Sequence, residues 1–307
     1  MGRLGRIAVS VGLLTAAVLW APTISLSAPI SVGSKLGAAD NFALLALSGG
    51  TMSINSATSI TGNVGYSAGV TSTTNQKVDS FIGTAYVHST ATFNYAAATF
   101  APSGGIVMGG AANTLLNQVN TDAAAAAVFF AGLPATASLG NLTTSQSFTA
   151  AGDVNVYDIS SINLNTATWT LTGDYDDLFL FRVAGSLDWS DAQTVLNGVS
   201  PNQVLFYFPN ASAITINKAD NIFIGTILAP TGSVEYHNPA TFNGAIIAKN
   251  IDVHSDFNIS KPHAEVPEGS SFFLLASGLA CAWIIGRAHR RGPRYQIAAG
   301  AGRRRPA

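Results

Sequence analysis

Two stretches near the C-terminal end of the chain match each other and constrain the fold more than any other feature. The text GTILA at 225–229 recurs as GAIIA at 244–248, an offset of 19 residues. A repeat of this length predicts stacked solenoid coils, each of which buries its apolar side chains while Thr, Asn and Asp face outward. The periodicity is weak elsewhere in the chain, so by itself it leaves both a β-solenoid and a β-sandwich open.

One segment interrupts the β pattern and predicts a helix near 111–131. The text AANTLLNQVNTDAAAAAVFFAGLPA is rich in alanine, and a glycine and a proline follow its apolar part. Glycine and proline in these places suit a helix stop. Small side chains would let the helix lie close against a sheet. The apolar stripe consists of Leu115, Val119, Ala123, Ala126 and Phe130.

The charge distribution excludes some classes of function. Only 10% of the residues are charged, and the segment from Pro29 to Glu265 carries six Lys and Arg against fifteen Asp and Glu. Nucleic acid is therefore not expected as a partner, because phosphate binding needs a basic face. The chain has no nucleophile elbow, no zinc-protease helix motif and no phosphate loop. We therefore expect neither an enzyme nor a cofactor.

The N-terminal residues 1–28 have the organisation of a secretory signal peptide. Arg3 and Arg6 form a basic start, 7–21 are apolar, and small residues follow at Ser25, Ser27 and Ala28. A transmembrane anchor is the alternative interpretation. It is less favoured because about 20 apolar residues are needed to span a bilayer and this run is shorter.

The C-terminal residues consist of a short polar motif, an apolar run and a basic tail, in that order. A linker with a PEP-like motif (261–270) precedes an apolar segment (271–286) that predicts a transmembrane helix, and a basic cytoplasmic tail (287–307) ends the chain. This order resembles a PEP-CTERM sorting signal, which implies an exosortase-type sorting protease as a partner; a permanent membrane anchor is the alternative. Gly269 stands where a second proline is usual, and the chain runs on beyond the arginines. The residues that carry the signal are Val266, Pro267, Glu268, Arg287, Arg290 and Arg291.

The segment between these signals resembles two bacterial families. The text LGAADNFALLALSGGTMSINSATSITGNVGYSAG at 36–69 is similar to the start of ice-binding-like adhesins. The later VLFYFPNASAITI and GTILAPTGSVEY are similar to the choice-of-anchor A surface proteins. The resemblance implies a β-helix with a long helix packed alongside, over 29–260. The full expectation is a mainly β chain: a β-solenoid (β-helix) with one long α-helix alongside, an N-terminal signal helix and a C-terminal transmembrane helix.

Two short segments carry candidate sites. In NTATWTLTG, Thr166, Thr168, Thr170 and Thr172 alternate with apolar residues, so all four are expected on one face of a strand, where they could contact ice. Threonine is also simply a good strand former. In GDYDDLF, three carboxylates could hold Ca²⁺, although a polar turn explains the text equally well. These carboxylates belong to Asp174, Asp176 and Asp177.

The sequence as a whole predicts an exported, non-enzymatic binding or structural protein of the cell surface or extracellular matrix. Its partner would be a surface polymer or polysaccharide, held by many weak contacts on a preformed surface. An ice-binding (antifreeze) protein is the second possibility. A polysaccharide-acting enzyme is the third, although the few basic residues between the two signals supply a lyase site poorly.

Overall fold

The computed structural model describes residues 30–73, 76–217, 221–237, 240–254 and 256–261. The predicted signal peptide, the apolar segment 271–286 and the basic tail lie outside these residues. Within them, the helices are α1 (Val32–Leu36) and α2 (Gly110–Ala131), with 3-10 turns at Gly37–Asn41 and Pro201–Gln203. Among the described residues no helix has both the length and the apolar character needed to cross a membrane.

The rest of the described chain is dominated by β-strands that all pair in parallel. The strands are β1 (Phe42–Ile54), β2 (Ala57–Thr61), β3 (Asn63–Tyr66), β4 (Thr71–Ser72), β5 (Val78–Ile82), β6 (Ala85–Val87), β7 (Ile106–Met108), β8 (Ala137–Leu142), β9 (Gln146–Thr149), β10 (Val154–Thr172), β11 (Leu178–Val183), β12 (Leu187–Asn197), β13 (Val204–Tyr207), β14 (Ala213–Asn217), β15 (Asn221–Tyr236), β16 (Ala240–Val253) and β17 (Phe257–Ser260).

Six of these strands close into a barrel. The first half of β10 pairs with β11 and its second half with β12, and β15 likewise pairs with β13 and then with β14. The pairs β11–β13 and β12–β14 complete the circuit. The remaining strands extend outward from this barrel. On one side, β16 pairs with β15 and β1 pairs with β16, so a strand from the start of the fold lies beside one from its end.

The predicted fold class is therefore wrong. The expected architecture was a β-solenoid with one long α-helix alongside and helices at both termini. Instead, the pairings form a closed six-stranded parallel barrel with outer strands, and the described helices are the five-residue α1 and the 22-residue α2. The repeat does correspond to two paired strands, since Gly225 pairs with Gly244 and Ile227 with Ile246, but the solenoid coils that it predicts are not what the pairings form. It reports two neighbouring strands and contains no information on how distant segments such as β1 join them.

The main core is a column of aromatic side chains inside the strands. The ring of Phe181 lies 5.4 Å from Trp169 and 4.9 Å from Phe206, which lies 4.8 Å from Phe223. All four side chains are almost completely buried. Aromatic pairs at these distances contribute beyond the area they bury, because edge and offset contacts are favourable.

A second core lies between α2 and one side of the sheet. Outward-facing leucines on this side, such as Leu180 and Leu205, pack in one cluster with the buried stripe of the helix. Four predicted stripe residues, Val119, Ala123, Ala126 and Phe130, are buried, and Leu116 rather than Leu115 continues the stripe toward the N-terminal end. The sheet surface under α2 is called the helix-covered side below.

Close approach of backbones at Gly244 makes that position intolerant of a side chain. A Cβ there would lie 1.8 Å from the carbonyl oxygen of Gly225 on the neighbouring strand. We expect Gly244→Ala to lower the free energy of unfolding by about 3 kcal/mol or more, since backbone atoms cannot move aside without breaking the ladder. Chemical denaturation measures this change. The control is Gly140→Ala, where a Cβ meets nothing within 4 Å, and the change there should stay within ~0.5 kcal/mol.

Two buried tyrosines should respond in opposite ways to loss of the hydroxyl. Tyr66 donates to Gln76 Oε1 at 3.1 Å, whereas the buried Tyr236 hydroxyl has no partner in the described part of the chain. We expect Tyr66→Phe to lower stability by about 1 kcal/mol and Tyr236→Phe to raise it by a similar amount. Thermal unfolding of both variants tests this. A loss of stability in Tyr236→Phe would contradict it.

The same tyrosines predict alkaline sensitivity. Burial raises the pKa of both phenols above the ordinary value of 10.0. The folded state therefore keeps protons that the unfolded state releases, so their stabilising contribution is complete below pH 10 and declines as the pH rises beyond it. We expect the melting temperature to fall above this pH in the native protein. The decline should be less steep when both tyrosines are replaced by Phe.

Candidate functional site

One side of the molecule presents outward side chains that lie in register across seven neighbouring strands. Parallel pairing fixes their order because each residue is the direct ladder partner of the next. We call this series the first row. It consists of Thr168, Gln193, Ile222, Thr241, Asn258, Ser59 and Ser80.

A second row runs beside the first, two residues further along each strand. It consists of two series of ladder partners: Ser147, Thr170 and Val195, and then Ile224, Asn243, Ser260, Thr61 and Ile82. Neighbouring strands lie ~4.8 Å apart, and outward residues on one strand are spaced by about 6.6 Å. The two rows together are called the uncharged face.

The uncharged face contains only small polar and aliphatic side chains. Neither row includes Asp, Glu, Lys or Arg; the carboxylate of Asp79 is exposed between Val78 and Ser80 on the last strand. Three aliphatic residues are exposed within the rows: Ile82 at 60%, Val195 at 39% and Ile222 at 38%. Aliphatic groups among the polar ones make the surface amphipathic.

The structure places two of the four predicted threonines, Thr168 and Thr170, in the rows of this face, and Thr172 follows them on the same side of the strand. Thr168, Thr170 and Thr172 point outward, while Trp169 and Leu171 between them are buried. Thr166 does not follow the alternation, because its φ of 59° puts a bend there and Ala167 resumes the ladder. Thr166 therefore lies at a corner of the strand. Its role and that of the other three as ligand contacts remain predictions.

The next side of the molecule is acidic. Its outward row includes Asp188, Thr215, Glu235 and Asp252 on successive strands. The rings of His237 and His254 stack there at 4.5 Å. Each imidazole has a carboxylate neighbour, at 3.1 Å for His254 and Asp252 and at 3.6 Å for His237 and Glu235. We call this surface the acidic face.

The three carboxylates proposed for calcium lie in a short turn after β10. Asp177 Oδ2 accepts the backbone N–H of Asp174 at 2.7 Å, so one carboxylate stabilises the turn itself. Within the described ranges, no group of three or more His, Cys, Asp or Glu is arranged to hold a metal ion. Calcium binding by Asp174, Asp176 and Asp177 remains a prediction to which this geometry adds no support.

The predicted sorting signal falls outside the described residues. Val266, Pro267 and Glu268 follow the last described residue, Lys261, and Arg287, Arg290 and Arg291 come later. Recognition of the tail by an exosortase-type protease therefore remains a prediction.

The family of the chain is clear from sequence comparison. A family model described as a putative ice-binding-like adhesive domain matches residues 15–259, which is well over half of the chain. The chain therefore belongs to this family. No curated protein matches it in sequence.

Solved structures of ice-binding proteins share the fold. One, from the Antarctic ascomycete Antarctomyces psychrotrophicus, has a TM-score of 0.52 and 20% identity, and the match covers 75% of this chain and 98% of that one. Another, from an Arctic yeast, has a TM-score of 0.53 and 20% identity, covering 78% and 98%. A third, from an Antarctic biological consortium, has a TM-score of 0.51 and 20% identity, covering 75% and 90%. At this identity the likeness concerns the fold alone.

Proposed function

We propose that this protein binds ice through the uncharged face, without catalysis. The observation that carries the proposal is the first row: seven outward side chains in ladder register, none of them charged. The fold shared with proteins described as ice-binding supports it. These comparisons favour ice over the surface polymer that the sequence placed first.

Physical chemistry favours this face over the acidic one. Ice is a rigid, regular lattice of neutral molecules, so a complementary surface has to be rigid, repetitive and free of groups that hold water in other orientations. Charged groups bind their own hydration shell strongly. Parallel β-strands supply regular spacing in two directions. Hydroxyl and amide groups can hold ordered water, and interspersed aliphatic groups limit competing hydrogen bonds.

The buried side of the same strands makes the face rigid. Trp169 and Leu171 are packed in the core beneath Thr168, Thr170 and Thr172. Phe223 and Phe242, which alternate with outward Ile222 and Thr241, stack with ring centroids 4.9 Å apart. A preformed surface loses little conformational entropy on binding, so many weak contacts can add up to useful affinity.

Substitution of the β10 threonines of the face by tyrosine tests the proposal. A bulky ring at Thr170 would hold the neighbouring side chains of the face away from a crystal plane. We expect Thr170→Tyr to raise the protein concentration needed to inhibit ice recrystallisation by about tenfold, equivalent to ~1.4 kcal/mol of lost binding. Thr168→Tyr should act in the same direction. The measurements are ice recrystallisation inhibition and thermal hysteresis of the full chain.

Thr215→Tyr is the matched control, because Thr215 is also an outward, half-buried threonine but lies between Asp188 and Glu235 on the acidic face. Its activity should equal that of the native protein. Unchanged activity in Thr168→Tyr and Thr170→Tyr would assign ice binding to another surface. Equal loss in all three variants would indicate general destabilisation. No activity of the native chain at high concentration would reject ice binding itself.

Binding of ice also requires the protein to reach it outside the cytoplasm. The predicted signal peptide over 1–28 is consistent with export. We expect protein recovered from outside the cells to begin close to Pro29, as measured by intact mass spectrometry. The same mass shows whether the chain is cut near the PEP-like motif at 266–268, as the sorting prediction requires. An unprocessed N-terminus in cell-bound material would contradict export.

A further inference from the structure

Four polar side chains form a column on neighbouring strands of the helix-covered side. Ser138, Asp158, Arg182 and Tyr207 are successive ladder partners. They lie beside the C-terminal end of α2, at Ala131. Since neighbouring strands are ~4.8 Å apart, the column spans roughly 14 Å. It lies on a different side of the molecule from the uncharged face.

The guanidinium group in this column is held rigidly. Arg182 Nε donates to Asp158 Oδ1 at 2.6 Å, and Nη1 donates to the carbonyl oxygens of Ala131 and Leu133 at 2.8 and 2.6 Å. These contacts fix the end of the helix and neutralise the carboxylate. They leave Nη2 of Arg182 and Oδ2 of Asp158 without a partner among the described residues.

The hydroxyl of Tyr207 is a further group that is available to hydrogen-bond a ligand. The residue as a whole is only 6% exposed and lines a cleft, and its hydroxyl makes no hydrogen bond within the described ranges. Burial raises the pKa of the phenol, and the nearby Arg182 lowers it to a smaller extent, so the group is a neutral O–H at physiological pH. It can therefore both donate and accept a hydrogen bond.

These groups line a cleft of about 470 Å³. The rest of the lining is largely apolar and includes Leu139, Ile159 and Pro209. A volume of this size, an apolar lining and a few fixed polar groups are the usual properties of a small-molecule site. Stabilisation of the helix end accounts for the hydrogen bonds that Nη1 of Arg182 donates. It does not explain the cleft, the free Nη2 or the phenol that lines the cleft.

We propose that this cleft binds a neutral sugar residue of a polysaccharide. A sugar offers hydroxyl groups that both donate and accept, and the cleft offers a carboxylate oxygen, a guanidinium N–H pair, a phenol and serine hydroxyls to match them. The apolar lining suits the C–H face of a sugar ring. An anionic ligand fits less well, because Asp158 already neutralises Arg182 and its free oxygen would repel a second negative charge.

Calorimetric titration of the full chain tests the proposal. The probes are four neutral oligosaccharides (cellohexaose, maltohexaose, laminarihexaose and mannohexaose) and one anionic probe, tetragalacturonate. We expect at least one neutral probe to bind more tightly than tetragalacturonate. Tyr207→Phe and Asp158→Asn should each weaken that binding about fivefold, the effect of losing one hydrogen bond.

The control variant is Tyr175→Phe, which removes the hydroxyl of an exposed tyrosine that does not line the cleft. Its affinity should equal that of the native chain, and melting curves should show that all three variants are folded. The proposal is overturned if no neutral probe binds at millimolar concentration, if tetragalacturonate binds best, or if Tyr207→Phe and Asp158→Asn bind as tightly as the native chain. Ice activity should be unchanged in both cleft variants, which separates this site from the uncharged face.

Discussion

The continuous stack of buried aromatic rings is the interaction on which the rest of the structure depends. Trp169, Phe181, Phe206, Phe223 and Phe242 belong to different strands and meet ring to ring along the core. Each ring must face inward for these contacts to form. Because side chains alternate along a strand, a shift of one residue would turn every ring outward. The aromatic stack therefore fixes the register of the strands that carry it.

Register in turn creates both candidate surfaces. Thr168, Gln193 and Ile222 lie side by side only because their buried neighbours are locked in place. The column of Asp158, Arg182 and Tyr207 arises in the same way on another side. In this fold, core packing fixes the strand register, and the register determines which outward side chains are neighbours. A core substitution that shifted the register of one strand would therefore disrupt a surface that the substituted side chain does not contact.

The sequence predicted features that depend on neighbours along the chain. The match between Gly225 and Gly244 is local and appeared as a repeat, and the alternation of Thr168 to Thr172 needs only the strand period. Closure of the barrel and the pairing of Leu44 with Ile246 join distant segments, so no local pattern encodes them. The error at Thr166 came from a bend with positive φ at a residue type that seldom adopts one.

The candidate sites were only partly accessible to sequence reasoning for the same reason. One strand of the uncharged face was found through its threonines, but the first row extends through Gln193, Ile222 and Asn258, which share no motif. The cleft was not found at all. Asp158 and Arg182 are separated by 24 residues, and a single Asp and a single Arg at that distance resemble ordinary surface charges.

Charged side chains are distributed unequally among the surfaces of the molecule. Carboxylates such as Asp188, Glu235 and Asp252 gather on the acidic face, and Arg182 is paired beside the helix end. The two rows of the uncharged face contain neither positively nor negatively charged side chains. Charges on the other sides keep the molecule hydrated. A crystal plane and a polymer could then be held on different sides of one rigid body, because the strands that present them share the same core.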